Sequence, residues 1–71
     1  MGFIFAVSQQ VVGRTLVVKY SDGSVKMYDA IRLGCEWFRM SNDCFFEMYG
    51  FNFNPHAHGL YDICRKLVHG E

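Results

Sequence analysis

The sequence predicts an α+β fold, a short antiparallel β-meander or hairpin over about residues 3–28 followed by three short helices packed on one sheet face. Three observations predict it. Residues 3–7, 14–20 and 24–28 are runs of β-branched and aromatic side chains. An Asp22-Gly23 pair, the strongest short-range hairpin signal, separates the second run from the third. From Asp29 onward the apolar residues recur at helical spacing between residues suited to begin and end helices.

Each element has its own local reason. A two-residue type I′ turn at Asp22-Gly23 would pair Tyr20 with Val25, Val18 with Met27 and Leu16 with Asp29, making one apolar face. The opposite face would then bring Lys19 beside Lys26 and Val17 beside Tyr28. Two ammonium groups directly across from each other repel, which suggests an anionic neighbour.

Asp29 is placed to cap a helix over Ala30–Arg39. On that helix Ile31, Gly34, Cys35 and Phe38 form a stripe expected to face the sheet, while Leu33, Trp37 and Met40 form a second apolar stripe roughly opposite. Ser41 starts another short helix that Gly50 stops near Tyr49, with Met40 stapled to Phe45 and Phe51 folded back on Phe46. The rival reading, a fourth strand over residues 44–49, lacks this capping chemistry. Asn54-Pro55 reads as N-cap and first helical residue of a last helix reaching Gly70, with Gly59 able to delay its start by a turn. Its expected core stripe is Ala57, Leu60, Tyr61, Cys64, Leu67 and Val68.

Composition bounds the function. The 71 residues, 51% apolar and with a single proline, are too hydrophobic for disorder and too few for a second core, so residues 1–71 are expected to form a single small domain. Seven basic residues balance seven acidic ones, which removes the broad field typical of proteins that bind nucleic acid or anionic membranes. Residues 1–13 carry no charge, but there is no basic leader, Gln9 and Gln10 interrupt the apolar run, and Ala6 stands where a myristoylation start needs Ser or Thr. A cytoplasmic protein without a membrane segment is the expectation. Cys35, Cys44 and Cys64 are odd in number and unpaired in spacing, which favours reduced, structural thiols in the core or at its edge.

Motifs for chemistry are sparse. No glycine-rich phosphate loop is present, and His56 and His58, two apart on a helix, point to different faces, so neither cofactor nor metal is expected. A Cys-His enzyme using Cys44 or Cys64 is a minor alternative, and the expectation is no enzyme. His58, Asp62, Arg65 and His69 would form a ridge on one continuous helix, able to meet an acidic partner. Lys19, Lys26 and Tyr28 on an open sheet face, with Arg14 near its end, hold the ingredients of a single-strand nucleic-acid platform, though with one ring only.

The aromatic excess points elsewhere. A chain this short buries only about 60% of its unfolded surface, so 12 aromatic and many aliphatic side chains cannot all be interior. A partner-binding surface drawn from Leu33, Trp37, Met40, Lys19, Lys26 and Tyr28 is therefore expected, with internal packing of the Trp37 stripe as the competing possibility. The function this favours is a non-catalytic protein-binding module, self-associating or docked on another protein. By analogy it suits a small stoichiometric inhibitor or adaptor, of the kind phages and mobile elements direct at bacterial defence nucleases.

Overall fold

The computed structural model describes residues 2–70. Strands β1 (Ala6–Val12), β2 (Thr15–Tyr20) and β3 (Val25–Asp29) form an antiparallel meander in the order β1-β2-β3, and the helices α1 (Ala30–Arg39), α2 (Asn42–Tyr49) and α3 (Tyr61–His69) follow. The α+β class and the helical character of residues 44–49 agree with the sequence reading. No helix among the described residues is long and apolar enough to cross a membrane.

The strands lie later in the chain than their composition suggested. Gly13, at φ +63°, turns β1 into β2 with Arg14 as its companion, so β1 runs to Val12 and Arg14 leaves the strand for the turn. A glycine at the first central position is what a type II′ turn requires. Residues 3–5 sit beyond the ladder and are held by Ser21, whose backbone amide donates to the Phe5 carbonyl at 2.8 Å. The Ser21 hydroxyl accepts from the Phe5 N–H at 3.1 Å and donates to the Phe3 carbonyl at 3.2 Å.

The β2–β3 register differs from the expected one by one residue. Lys19 pairs with Val25, Val18 with Lys26, Val17 with Met27, Leu16 with Tyr28 and Thr15 with Asp29. Only Gly23 in this turn takes a positive φ, +88°, so the chain reverses through a three-residue loop in which Gly23 donates to the Tyr20 carbonyl and Tyr20 to that of Ser24. Asp22 keeps a negative φ because its carboxylate is occupied elsewhere, accepting from the Ser24 amide at 2.9 Å and from its hydroxyl at 2.6 Å. Those two bonds also hold the Asp22 carboxyl below its ordinary pKa.

A slip of one residue exchanges the faces of a strand. Leu16, Val18 and Tyr20 remain on the core side as expected, joined now by Tyr28 and Lys26, while Val25 and Met27 turn outward beside Lys19 and Val17. Lys19 and Lys26 therefore lie on opposite faces, and Lys26 reaches over the Tyr20 ring with its ammonium 5.4 Å from the ring centre.

The core lies between the sheet and the helices, built from Leu16, Val18 and Tyr20 below and Ala30, Leu33, Phe45, Phe51 and Phe53 above. Asp29 caps α1 as expected, accepting from the Ile31 and Arg32 amides at 3.0 and 3.3 Å. Ser41 caps α2 through the Cys44 amide, and Gly50 closes it in the left-handed conformation. Phe51 then packs on Phe45, ring centres 6.0 Å apart, and not on Phe46, which is exposed. Phe45 is the position one residue further back, the other place where this contact forms at a glycine-ended helix.

Asn54-Pro55 opens only a 3-10 turn, Pro55–His58, which Gly59 ends at φ +69°; α3 starts afresh at Tyr61. The fresh start changes the helical phase, leaving Ala57 and Leu67 exposed while Leu60 and Cys64 are buried. α3 packs on α1, so the stripe Ile31, Gly34, Cys35 and Phe38 faces α3 and not the sheet, and Leu33 takes the position over the strands. A Cβ on Gly34 would stand 2.3 Å from the Cys64 Sγ and 3.7 Å from the Pro55 Cβ. The 15 Å shortest dimension holds one sheet and one helical layer.

Gly34→Ala is accordingly expected to cost about 1–3 kcal/mol through overpacking. Adding Cys64→Ala, which removes the clashing sulfur, should recover much of that loss. Urea unfolding of the four proteins of the cycle measures the coupling. Independent, additive losses would mean that the two helices are not in contact at this point.

Candidate functional site

The expected partner-binding residues separate once folded. Leu33 is 2% exposed and belongs to the core. Trp37 and Met40 are half-buried: Met40 packs against the core, and the Trp37 ring meets Phe38 edge-on at 5.0 Å and lies 6.1 Å from both His56 and Tyr61. Lys19 stands alone on the outer sheet face, while Lys26 and Tyr28 point to the helix side, Tyr28 edge-on to Tyr49 at 5.7 Å and tilted against Phe51 at 5.5 Å. The stacking platform of Lys19, Lys26 and Tyr28 is therefore not assembled on one surface.

The ridge of His58, Asp62, Arg65 and His69 does not form either, because Gly59 interrupts the helix that would have carried it. All three histidines lie against aromatic rings instead. His56 stacks on Tyr61 at 3.8 Å, His58 on Phe53 at 4.9 Å, and His69 meets Phe38 edge-on at 5.8 Å. Among the described residues no group of three or more His, Cys, Asp or Glu side chains could hold a metal ion.

The thiols sit in three different environments. Cys44 is exposed, against the expectation of a core or core-edge position, because in the first turn of α2 it lies about 100° round the helix from the buried Phe45. Cys35 is half-buried. Cys64 is buried between α3 and α1, donating to the Ile31 carbonyl at 3.6 Å, and its pKa is pushed up to about 11, chiefly by burial and further by the neighbouring Cys35 thiol. A thiol held neutral in this way is a packing group and a poor nucleophile.

Surface cavities border the edge strand β3 and the β1–β2 turn. One of about 360 Å³ is lined by Met27, Tyr28, Asp29, Arg32, Leu33 and Tyr49, and a second of about 410 Å³ continues it toward Arg14 and Thr15. In the first, the Asp29 carboxylate is already engaged as the α1 cap. At its margin Glu36 accepts from the Tyr49 hydroxyl and pairs with Arg32 at 3.6 Å. Burial and that bond to Glu36 raise the Tyr49 pKa. The third cavity, about 420 Å³, opens between the β1–β2 turn and the helices and is mostly apolar, with Gly13, Arg14, Ile31, Leu60, Ile63 and Leu67 around it. No cysteine or histidine lines any of the three.

The feature missed in the sequence is the outer face of the sheet with the segment leading into it. Val12, Val25 and Met27 are 58%, 47% and 70% exposed, and Phe3, Ile4, Phe5 and Val7 are more than half exposed. The available signal was the uncharged stretch over residues 1–13, read only as the absence of a leader. Compared with known proteins, this chain matches no family model, no curated protein and no solved structure.

The Cys64 thiol and the Tyr20 phenol together predict an alkaline limit. Burial raises Tyr20 to about 12, with the nearby Tyr28 phenol adding to it, and its hydroxyl has no hydrogen-bond partner. Both groups keep their protons in the folded state where an unfolded chain, with ordinary values of 9.0 and 10.0, releases them. Their stabilising effect is complete below pH about 9 and disappears as pH rises through the folded values. Thermal melting should therefore show the midpoint falling from about pH 9 upward, with a shallower fall in Tyr20→Phe. A flat profile to pH 11 would contradict the buried, neutral thiol.

Proposed function

We propose that this protein is a non-catalytic protein-binding module, acting as a stoichiometric inhibitor or adaptor, and that it binds through the outer face of its sheet together with β1. One observation carries the reading. Of the eleven large apolar side chains that stand exposed among the described residues, seven belong to the strands or to the segment entering β1, and Phe46, Met48, Ile63 and Leu67 lie on helices.

Scattered exposed apolar residues are ordinary, but a concentration on one layer of a two-layer domain is what binding surfaces have. Register makes this concentration: pairing across the sheet sets Gln10, Val17 and Met27 in one row and Ser8, Lys19 and Val25 in the next. Lys19 supplies the one charge in these two rows, suited to orienting a partner at the margin of an apolar contact. The helical face has less to give, since Leu33, Phe45, Phe51 and Phe53 are consumed by the core.

The double substitution Val25→Glu with Met27→Glu tests this directly. Both side chains are exposed, so the domain should remain folded, with a change of no more than about 1 kcal/mol for each position. In affinity capture followed by mass spectrometry, the protein partner should be lost at least about tenfold, the equivalent of 1.4 kcal/mol. Phe46→Ser on α2 should retain it. Loss of the partner in Phe46→Ser, with full retention in the double variant, would contradict the assignment of the sheet face.

A further inference from the structure

The two edges of the sheet are protected very differently. β3 carries Lys26 and Asp29, and the cavities beside it are rimmed by Arg14 and Arg32, so a strand approaching that side meets charge. β1 carries nothing of the kind. Residues 1–13 contain no charged residue and no proline, and the only irregularity is a bulge at Val7 between the Ala6–Tyr20 and Ser8–Lys19 pairs. Natural sheets guard their edges with charges, proline or bulges because a bare edge pairs with another strand, and the bulge at Val7 leaves the stretch from Ser8 to Val12 without a guard.

The backbone of that edge can be read from the turn. Val12 and Thr15 close the two-residue Gly13-Arg14 turn as a hydrogen-bonded pair, so Val12, Gln10 and Ser8 direct their amides and carbonyls to β2. The alternate residues, Val11 and Gln9, direct theirs outward, where no strand among the described residues pairs with them.

We infer that β1 pairs antiparallel with β1 of a second copy of this chain, across a two-fold axis near Gln9 and Gln10, to make a continuous six-stranded sheet. The inference rests on the binding-module reading and names its partner. A second copy is the occupant that the geometry favours, because antiparallel pairing brings two otherwise unrelated apolar features together. One end of β1 carries the exposed Phe3, Ile4 and Phe5; the other end adjoins the apolar cavity at Gly13 and Arg14, whose rim residues Ile63 and Leu67 are themselves exposed. Reversing one copy against the other lays each leading segment beside its partner's cavity. By strand alternation Ile4 shares the helix side of the sheet with the half-buried Ala6, the side on which that cavity opens.

Size and charge agree with this occupant. Exposures of 92%, 65%, 57%, 56% and 58% at Phe3, Ile4, Phe5, Val7 and Val12 leave roughly 600 Å² of apolar surface along the edge, with an aromatic side chain at about 200 Å². A standard stable interface takes about 800 Å² from each partner, and Ile63, Leu67 and the strand backbone are available for the difference. A formal net charge of zero sets no long-range repulsion between copies, and the uncharged edge offers no complement to a charged peptide.

Sedimentation velocity on the purified full chain, from low to high micromolar concentration, tests the pairing. The unmodified protein should sediment as a dimer at the upper end. Gln10→Lys, which brings two ammonium groups together near the axis, and Ile4→Asp, which takes a carboxylate into the partner's cavity, should each weaken the dimer about tenfold or more. Both positions are exposed in the single chain, so melting in dilute solution should be little changed. A protein that stays monomeric throughout, or a dimer indifferent to both substitutions, overturns the pairing. If that monomer still captures a different protein and loses it in Val25→Glu with Met27→Glu, only the second copy is refuted. A dimer broken by Phe46→Ser instead overturns the pairing and the sheet-face reading together.

Discussion

The helical layer depends on how closely α1 and α3 approach at Gly34. With no side chain at that position, the Cys64 sulfur fills the space a Cβ would need and donates to the Ile31 carbonyl of the facing helix. The contact turns one flank of α1 toward α3 and thereby commits the other, through Ala30 and Leu33, to the sheet. Two helices locked together in this way cover one face of a three-stranded sheet. The remaining apolar residues have no layer to enter.

That division explains why so short a chain is both well packed and apolar outside. The core closes around Leu16, Val18 and Tyr20 with the rings of Phe45, Phe51 and Phe53, and among the described residues no side chain classed as polar or charged is buried in it. A domain of this size has little further surface to bury within itself. Val12, Val25, Met27 and the segment around Phe3 and Phe5 are left on the far side and along β1, where only association can remove them from water. On this account the protein works as a surface, with the helices as its support.

Much of the fold was legible because it rests on local chemistry. Asp29, Ser41 and Asn54 each cap a helical segment through backbone amides, and Gly50, Gly59 and Gly70 end one with positive φ, all decisions taken within a few residues. The register was not legible in this way. Asp22-Gly23 is compatible with two turns, and the choice between them turns on Asp22 preferring the Ser24 amide and hydroxyl to a left-handed backbone. One residue of slip moved Lys26 to the inside and Met27 to the outside, which dissolved the expected lysine pair and created the apolar face. The ridge through His58 and His69 failed for a related reason, since a single glycine reset the helical phase between them. Trp37 was identified as a large ring on a second stripe, but its neighbours Phe38, His56 and Tyr61 come from three elements whose packing no local signal reports.

The central claim is that association is organised by the sheet, through the free edge of β1, and not by α2. Backbone amide exchange followed by NMR as the protein is concentrated measures it most directly, because Gln9 and Val11 direct their N–H groups to the free edge of β1. Their exchange should be fast in dilute solution and slow markedly on association, while the exposed turns of α2 stay unchanged. Protection that grows in α2 or α3 with the amides of Gln9 and Val11 still exchanging freely would contradict the account.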